Sequence, residues 1–285
     1  MKKGIALLGV ICILLCGCGA KAEPAQVVAT TLPVYEFASR LCAGTGITVS
    51  RLVTENVSCL HDYSLSVSQA RAMEAAEAIV ISGAGLEEHL IKGASANVID
   101  SSAGIDLHGC SHDHDHGHDH EQDAHIWLSP DNAKIMAENI CNGLTEMYPQ
   151  HAVTFSCNLS ELLDEIDAIK CYADEQLSTL LSRGLVTFHD GFSYFAEAFG
   201  LHILETIEEE SGSEASAAEL KHLIELTREH ELSAVFVERN GSASAAGILS
   251  RETGVKVFAL DMAMSGDSWF AAMYHNIDTL KEALG

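Results

Sequence analysis

From Pro149 to Leu181 the chain contains no glycine and no second proline. Across that stretch Val153, Leu159, Leu162, Leu163, Ile166, Ile169, Leu177 and Leu181 keep the 3.6-residue spacing of an amphipathic helix. The spacing predicts one helix of about 50 Å, at about 1.5 Å per residue, and an element of that length reads as a spacer rather than a core piece. It follows a helix that Ser129-Pro130-Asp131 opens and that runs to about Tyr148. On both sides, strand-like runs alternate with helical ones. Before it come strands at Val27–Thr31, Thr48–Val53, Ala78–Ser82 and Asn97–Asp100, with helices from Pro33, Ser66 and Leu86. After it come Leu185–Thr187, Leu201–Leu204, Ala234–Val237 and Lys256–Leu260, with helices from about Tyr194, Ser216, Ser242 and Ser268. Alternation with few hairpin signals implies parallel sheets. The expected fold class is α/β: two lobes, each a mostly parallel sheet flanked by helices, joined by a single long linker helix. The expected boundaries are a leader at 1–17, a tether at 18–26, an N-terminal lobe at 27–130, a helical region at 131–183 and a C-terminal lobe at 184–285.

Between the first set of strands and the helical region lies HGCSHDHDHGHDHEQDAHIWLSP, His108 to Pro130. Six histidines, His108, His112, His114, His116, His118 and His120, alternate there with Asp and Glu. So many imidazoles and carboxylates cannot form a core element, because each would need a buried partner. Residues 108–123 read as a mobile loop whose composition suits zinc-like ions. The polarity then changes sharply: His125 stands at the mouth of the apolar run Ile126-Trp127-Leu128, placed as a fixed ligand beside a flexible collecting loop.

The formal net charge of −25 argues against a nucleic-acid partner, which needs a basic face, and suits a protein that attracts cations. Met1-Lys2-Lys3 and the apolar run Gly4–Leu15 read as a targeting segment too short to span a bilayer alone. It ends in Leu15-Cys16-Gly17-Cys18, which resembles the bacterial lipobox. By that resemblance Cys18 is the acylated residue and its lipid chains hold the protein on a bilayer. Cys42, Cys59, Cys110, Cys141, Cys157 and Cys171 remain. They form no CxxC, and whether they pair stays open.

Four residues stand at expected strand-to-helix junctions, where α/β proteins collect ligands: His61, His125, His189 and Asp261. Two belong to each lobe, and three imidazoles with one carboxylate suit a tetrahedral zinc ion. Asp267 is a rival to Asp261. Asp62 and Asp190 neighbour two of these histidines and read equally as acceptors orienting a ring N–H or as solvated residues. His202, His222, His230 and His275 read as surface or helix histidines, Trp127 and Trp269 as packing groups, and Glu208-Glu209-Glu210 as an exposed acidic loop.

Five further segments stand out: His61-Asp62-Tyr63-Ser64-Leu65, DAHIWLSP at 123–130, FHDGFSYFAEAFGL at 188–201, VFVE at 235–238 and LDMAMSGDSWFAAMYHNIDTLKEAL at 260–284. Together they resemble the zinc- and manganese-binding receptor lipoproteins of bacterial ABC importers, the cluster 9 or A-I solute-binding proteins. The likeness extends over nearly all of Val27–Leu284. It implies His61, His125, His189 and Asp261 as metal ligands, a permease as partner and lobe movements limited to small tilts. Manganese-type members usually carry Glu where this chain has His189, so the resemblance favours Zn2+, with Mn2+ as the alternative. Two departures stand out: the stretch Thr54–Leu60 lacks the prolines and glycine usual before the first histidine, and Asp261-Met262-Ala263-Met264 replaces the common Asp-Pro-Leu-Gly.

Three functions follow from these features. One is an extracytoplasmic receptor that hands Zn2+ to a membrane permease. Another is a zinc hydrolase built on three His ligands and an open position. A fourth protein ligand would close that position, and no HExxH or nucleophile elbow is present, so the chain is expected not to be an enzyme. The last is a surface adhesin or metal buffer centred on the His-rich loop.

Overall fold

A computed structural model describes residues 24–57, 60, 63–109, 122–207 and 216–285. His61, Asp62, Cys59, Cys110, Glu208–Glu210, the histidines from His112 to His120, and the leader with Cys18 lie outside the described residues.

The first sheet consists of β1 (Val27–Ala29), β2 (Val49–Arg51), β3 (Ala78–Ile81) and β4 (Asn97–Asp100). Its order is β2-β1-β3-β4, and every pairing is parallel. The helices α1 (Leu32–Leu41), α2 (Val67–Ala75) and α3 (Glu88–Ile91) connect these strands. The second sheet consists of β5 (Gly184–Thr187), β6 (His202–Thr206), β7 (Ala234–Glu238) and β8 (Lys256–Leu260), in the order β6-β5-β7-β8 and again all parallel. Its crossovers are α6 (Ser193–Ala198), α7 (Ala217–Glu229) and α8 (Ser244–Thr253), and α9 (Trp269–Leu284) follows β8. Between the sheets run α4 (Pro130–Met147) and α5 (Ala152–Gln176). This is the two-lobe α/β architecture that the strand-helix alternation implies.

Local chemistry sets the helix starts. Ser66 and Ser216 each form a capping box, with Gln69 and Glu219 respectively, and Ser129 and Ser268 accept from Asn132 N and Ala271 N. The expected single long helix is shorter than its apolar pattern. Pro149–His151 forms a separate 3-10 turn, and α5 spans 25 residues, about 37 Å at about 1.5 Å per residue. Past Gln176 the chain is recruited elsewhere: Arg183 Nη2 donates to Leu177 O, and Leu181 N donates to Leu284 O. Nor is α5 a bare spacer. Phe155, Leu162, Ile166, Ile169 and Ala173 are buried in the main core, and α5 packs on α4, α1 and α9.

One apolar core joins elements from both lobes. Trp127 and Trp269 are fully buried, with Trp127 Nε1 donating to Met262 O (2.8 Å) and Trp269 Nε1 to Trp127 O (2.9 Å). On α1, Glu36 accepts from Ser268 Oγ (3.0 Å) and Trp269 N (2.6 Å), so a carboxylate caps the start of α9. Arg40 lies over the Phe270 ring at 4.4 Å and pairs with Glu165 of α5 at 2.6 Å. A smaller apolar cluster covers the other face of the second sheet under α7 and α8. Cys42, Cys141, Cys157 and Cys171 are free thiols, and burial pushes Cys42 up to about 12.

Candidate metal centre

Open parallel sheets bind ligands at the carboxyl ends of strands, where the strand order reverses. In the second sheet that crevice lies between β5 and β7. His189 follows β5 and Glu238 ends β7, with His189 Nδ1 3.8 Å from Glu238 Oε2. Glu238 is 6% exposed. In the first sheet the corresponding crevice, between β1 and β3, is filled by Glu87. Its Oε1 accepts from Thr30 Oγ1 (2.6 Å) and Ser82 N (2.8 Å), and its Oε2 from Gly83 N (3.0 Å). Burial pushes the Glu87 carboxyl above its ordinary value, against the pull of those donors.

His125 precedes the 3-10 turn Ile126–Leu128 and is 5% exposed. Asp123 Oδ1 faces both its backbone N and its Nδ1, each at 2.9 Å. A carboxylate on Nδ1 fixes the ring and its tautomer and leaves Nε2 as the free ligand nitrogen. That Nε2 is buried and has no hydrogen-bond partner among the described residues, and the His125 ring is 5.3 Å, centroid to centroid, from the His189 ring. Burial raises the Asp123 carboxyl, but its bonds with His125 and Ser193 outweigh burial and hold it below the usual range. Gly191 makes the approach possible. A Cβ there would lie 2.6 Å from Met262 Cε and 2.9 Å from His125 Nδ1.

Asp123 is also where the His-rich segment is fastened. The sequence reads Asp123 as the last residue of a mobile loop; in the structure it is 5% exposed and held from both lobes. Ser193 Oγ donates to Asp123 Oδ2 and Tyr194 Oη to Asp123 O, while His108 N donates to Tyr194 Oη. Gly109 and Gln122 form an antiparallel bridge. His108 stacks on Tyr194 at 4.1 Å, and its Nε2 lies 3.0 Å from Glu197 and its Nδ1 3.3 Å from Ser193. His108 thus belongs to the base of the segment and shares it with α6.

Asp261 is held firmly. Its N donates to Asn276 Oδ1, its O accepts from Asn276 Nδ2, and its Oδ1 accepts from Ala263 N. Its Oδ2 pairs with Arg239 Nη1 at 3.0 Å. Asp267 lies with Asp261 on a cavity of about 420 Å³ that Asn56 of the first lobe also lines. Among the described residues, no three His, Cys, Asp or Glu side chains converge as an ion-binding group. The structure brings His125 and His189 together, faces Asp261 with a guanidinium, and leaves His61 outside the described residues. The sequence reading missed Asp123, Glu238 and Arg239 as residues of the site. The first had a signal, a carboxylate two residues before a candidate ligand. The second closes a strand with no exposed position, which is where a buried acid needs a partner.

Comparison with known proteins places the fold in a family. Residues 27–283 match the family model described as "Zinc-uptake complex component A periplasmic". The zinc-binding lipoprotein AdcA of Streptococcus pneumoniae is 30% identical over 99% of this chain and 61% of its own length. The chain therefore spans about three fifths of that relative. The crystal structure of ZnuA superposes with a TM-score of 0.80 at 29% identity, covering 92% of this chain and 100% of that one. The Zn(II)-bound ZnuA-like domain of Streptococcus pneumoniae AdcA superposes with a TM-score of 0.76 at 26% identity, covering 90% of this chain and 98% of that one. With a family match along nearly its whole described length, the chain belongs to the zinc-uptake complex component A family.

Proposed function

We propose that this chain is an extracytoplasmic receptor that captures Zn2+ between its two lobes and delivers it to the permease of an ABC importer. His61, His125, His189 and Asp261 are the ligands of the captured ion. The observation that carries this reading is the buried Nε2 of His125, which has no hydrogen-bond partner among the described residues and is presented by Asp123 beside His189. A buried ring nitrogen without a hydrogen bond is costly unless an ion completes it. Zinc-binding relatives of the same fold support the choice of metal, as does an imidazole at residue 189, since nitrogen donors suit Zn2+ better than Mn2+. His112, His114, His116, His118 and His120 collect further ions weakly and raise their concentration near the cleft, with His108 at the base of the segment. Cys18 carries the lipid that holds the receptor on the membrane. The division into leader, tether, two lobes and a helical region at 1–17, 18–26, 27–130, 184–285 and 131–183 belongs to the same proposal.

Equilibrium zinc titration of three proteins tests it. The unaltered chain should show one tight site and several weak ones. A chain lacking residues 110–121, which keeps Asp123, should retain the tight site and lose weak capacity. His125→Ala should lose the tight site and keep the weak ones. Retention of the tight site in His125→Ala, with its loss in the deletion, would assign the function to the His-rich segment and overturn the receptor reading.

A further inference from the structure

The end of β7 puts a cation where a metal ligand is expected. Arg239 N donates to Leu260 O at 2.8 Å, which fixes Arg239 directly beside Asp261 across neighbouring strands. Its guanidinium then reaches Asp261 Oδ2 at 3.0 Å. The two partners are unequal. The Arg239 side chain is 59% exposed and the Asp261 side chain 11%. Asp261 is immobilised by Asn276 and by Ala263 N, whereas Arg239 borders the 420 Å³ cavity between the lobes and has room to leave. The carboxylate is built in and the guanidinium is the removable part.

We propose that Arg239 is a specificity-determining residue of the cleft: by holding Asp261 Oδ2 it withholds a hard oxygen donor, and so favours ions that nitrogen donors satisfy. The inference rests on the receptor reading above. Zn2+ is well served by imidazoles in four-coordination, so the histidines supply most of its binding before Asp261 is released. Mn2+ prefers oxygen donors and depends more heavily on a carboxylate. An arriving ion has to displace the guanidinium to gain Asp261, and that displacement weighs most on the ion that needs the oxygen.

The test is a double-mutant cycle with Arg239→Gln and Asp261→Asn, titrated with Zn2+ and with Mn2+ alone. With its guanidinium largely in solvent the pair is weak, so Arg239→Gln should tighten Mn2+ binding by about fivefold and Zn2+ binding by less. In the Asp261→Asn background the same change should have no effect on either ion. Cobalt(II) absorption should shift toward the spectrum of a carboxylate-containing site in Arg239→Gln. Unchanged affinities in Arg239→Gln would overturn the inference, as would equal tightening of both ions with or without Asp261, which marks plain charge repulsion. His125→Ala is run alongside. If it keeps the tight zinc site, the cleft reading itself fails; if it loses the site while Arg239→Gln is silent, only the role of Arg239 falls.

Discussion

The two sheets share one strand order, yet the crevices at their reversal points are occupied in opposite ways. Between β1 and β3 the chain plugs its own crevice with Glu87, which takes donors from Thr30, Ser82 and Gly83. Between β5 and β7 it places His189 against the edge of Glu238 and turns toward His125. The same topology thus supplies a closed polar knot in one lobe and half of the proposed ligand site in the other. What separates them is the match of donors to acceptors. Glu87 is fully supplied from its own lobe, while His125 Nε2 is buried with no partner among the described residues. A crevice becomes a binding site where burial outruns internal pairing.

The comparison is broken most severely at the ligand side chains. His125→Ala should weaken the tight zinc site by more than about 100-fold, beyond the range for outer partners, and leave the melting temperature of the metal-free protein within a few degrees. Calorimetric titration and thermal unfolding measure the two effects. Glu87→Ala should do the reverse. It leaves buried N–H groups unpaired at the other crevice and should cost about 3 kcal/mol in urea unfolding, with zinc affinity of the folded fraction unchanged. Loss of zinc affinity in Glu87→Ala would mean that the two crevices are not independent.

Asp123→Asn sharpens the contrast at intermediate size. It keeps the shape and removes the charge that orients His125, and should weaken zinc by about 10-fold to 100-fold while His108 and Tyr194 still hold the base of the segment. The smallest effect is in the pH dependence of stability, where the two buried acids have opposite signs. Glu87 is raised in the fold, so the folded state holds its proton more tightly than the unfolded chain. Its contribution is fully present below the ordinary glutamate value of about 4.3 and is lost as pH rises through the raised value. Asp123 is lowered, so its contribution is present above about 3.9 and is lost as pH falls through the lowered value. Urea unfolding between pH 3 and 8 should therefore show Glu87→Gln removing a decline on the rising side, and Asp123→Asn removing one on the acid side.

Much of this was legible because it is local. Ser66 with Gln69, Ser216 with Glu219 and the Ser129-Pro130 pair mark helix starts within four residues. His189 follows the strand-forming run Leu185-Val186-Thr187-Phe188, so its place at a strand end needs no distant information. The features that sequence did not give are set by partners far along the chain. Asp123 resembles the acids interleaved with His112–His120 until Ser193 and Tyr194, about 70 residues on, bury it. Arg239 meets Asp261 only because β7 and β8 end side by side. The apolar period ran past Gln176, but Leu181 is claimed by Leu284, and no window around residue 180 contains that competitor.

The cap that Glu36 places on α9 joins residues 233 positions apart. During synthesis the acceptor is made early and its donors late. Until Ser268 and Trp269 emerge, Glu36 has no helix to cap, and the faces of Phe37 and Trp127 that Trp269 covers stay bare. Long-range closure of this kind folds slowly, with apolar surface exposed on the way. A chain interrupted before residue 269 would carry both strands of the first crevice and both histidines of the second, yet lack the piece that seals them together. Such fragments are natural substrates for chaperones and proteases, so closure of the main core waits on α9.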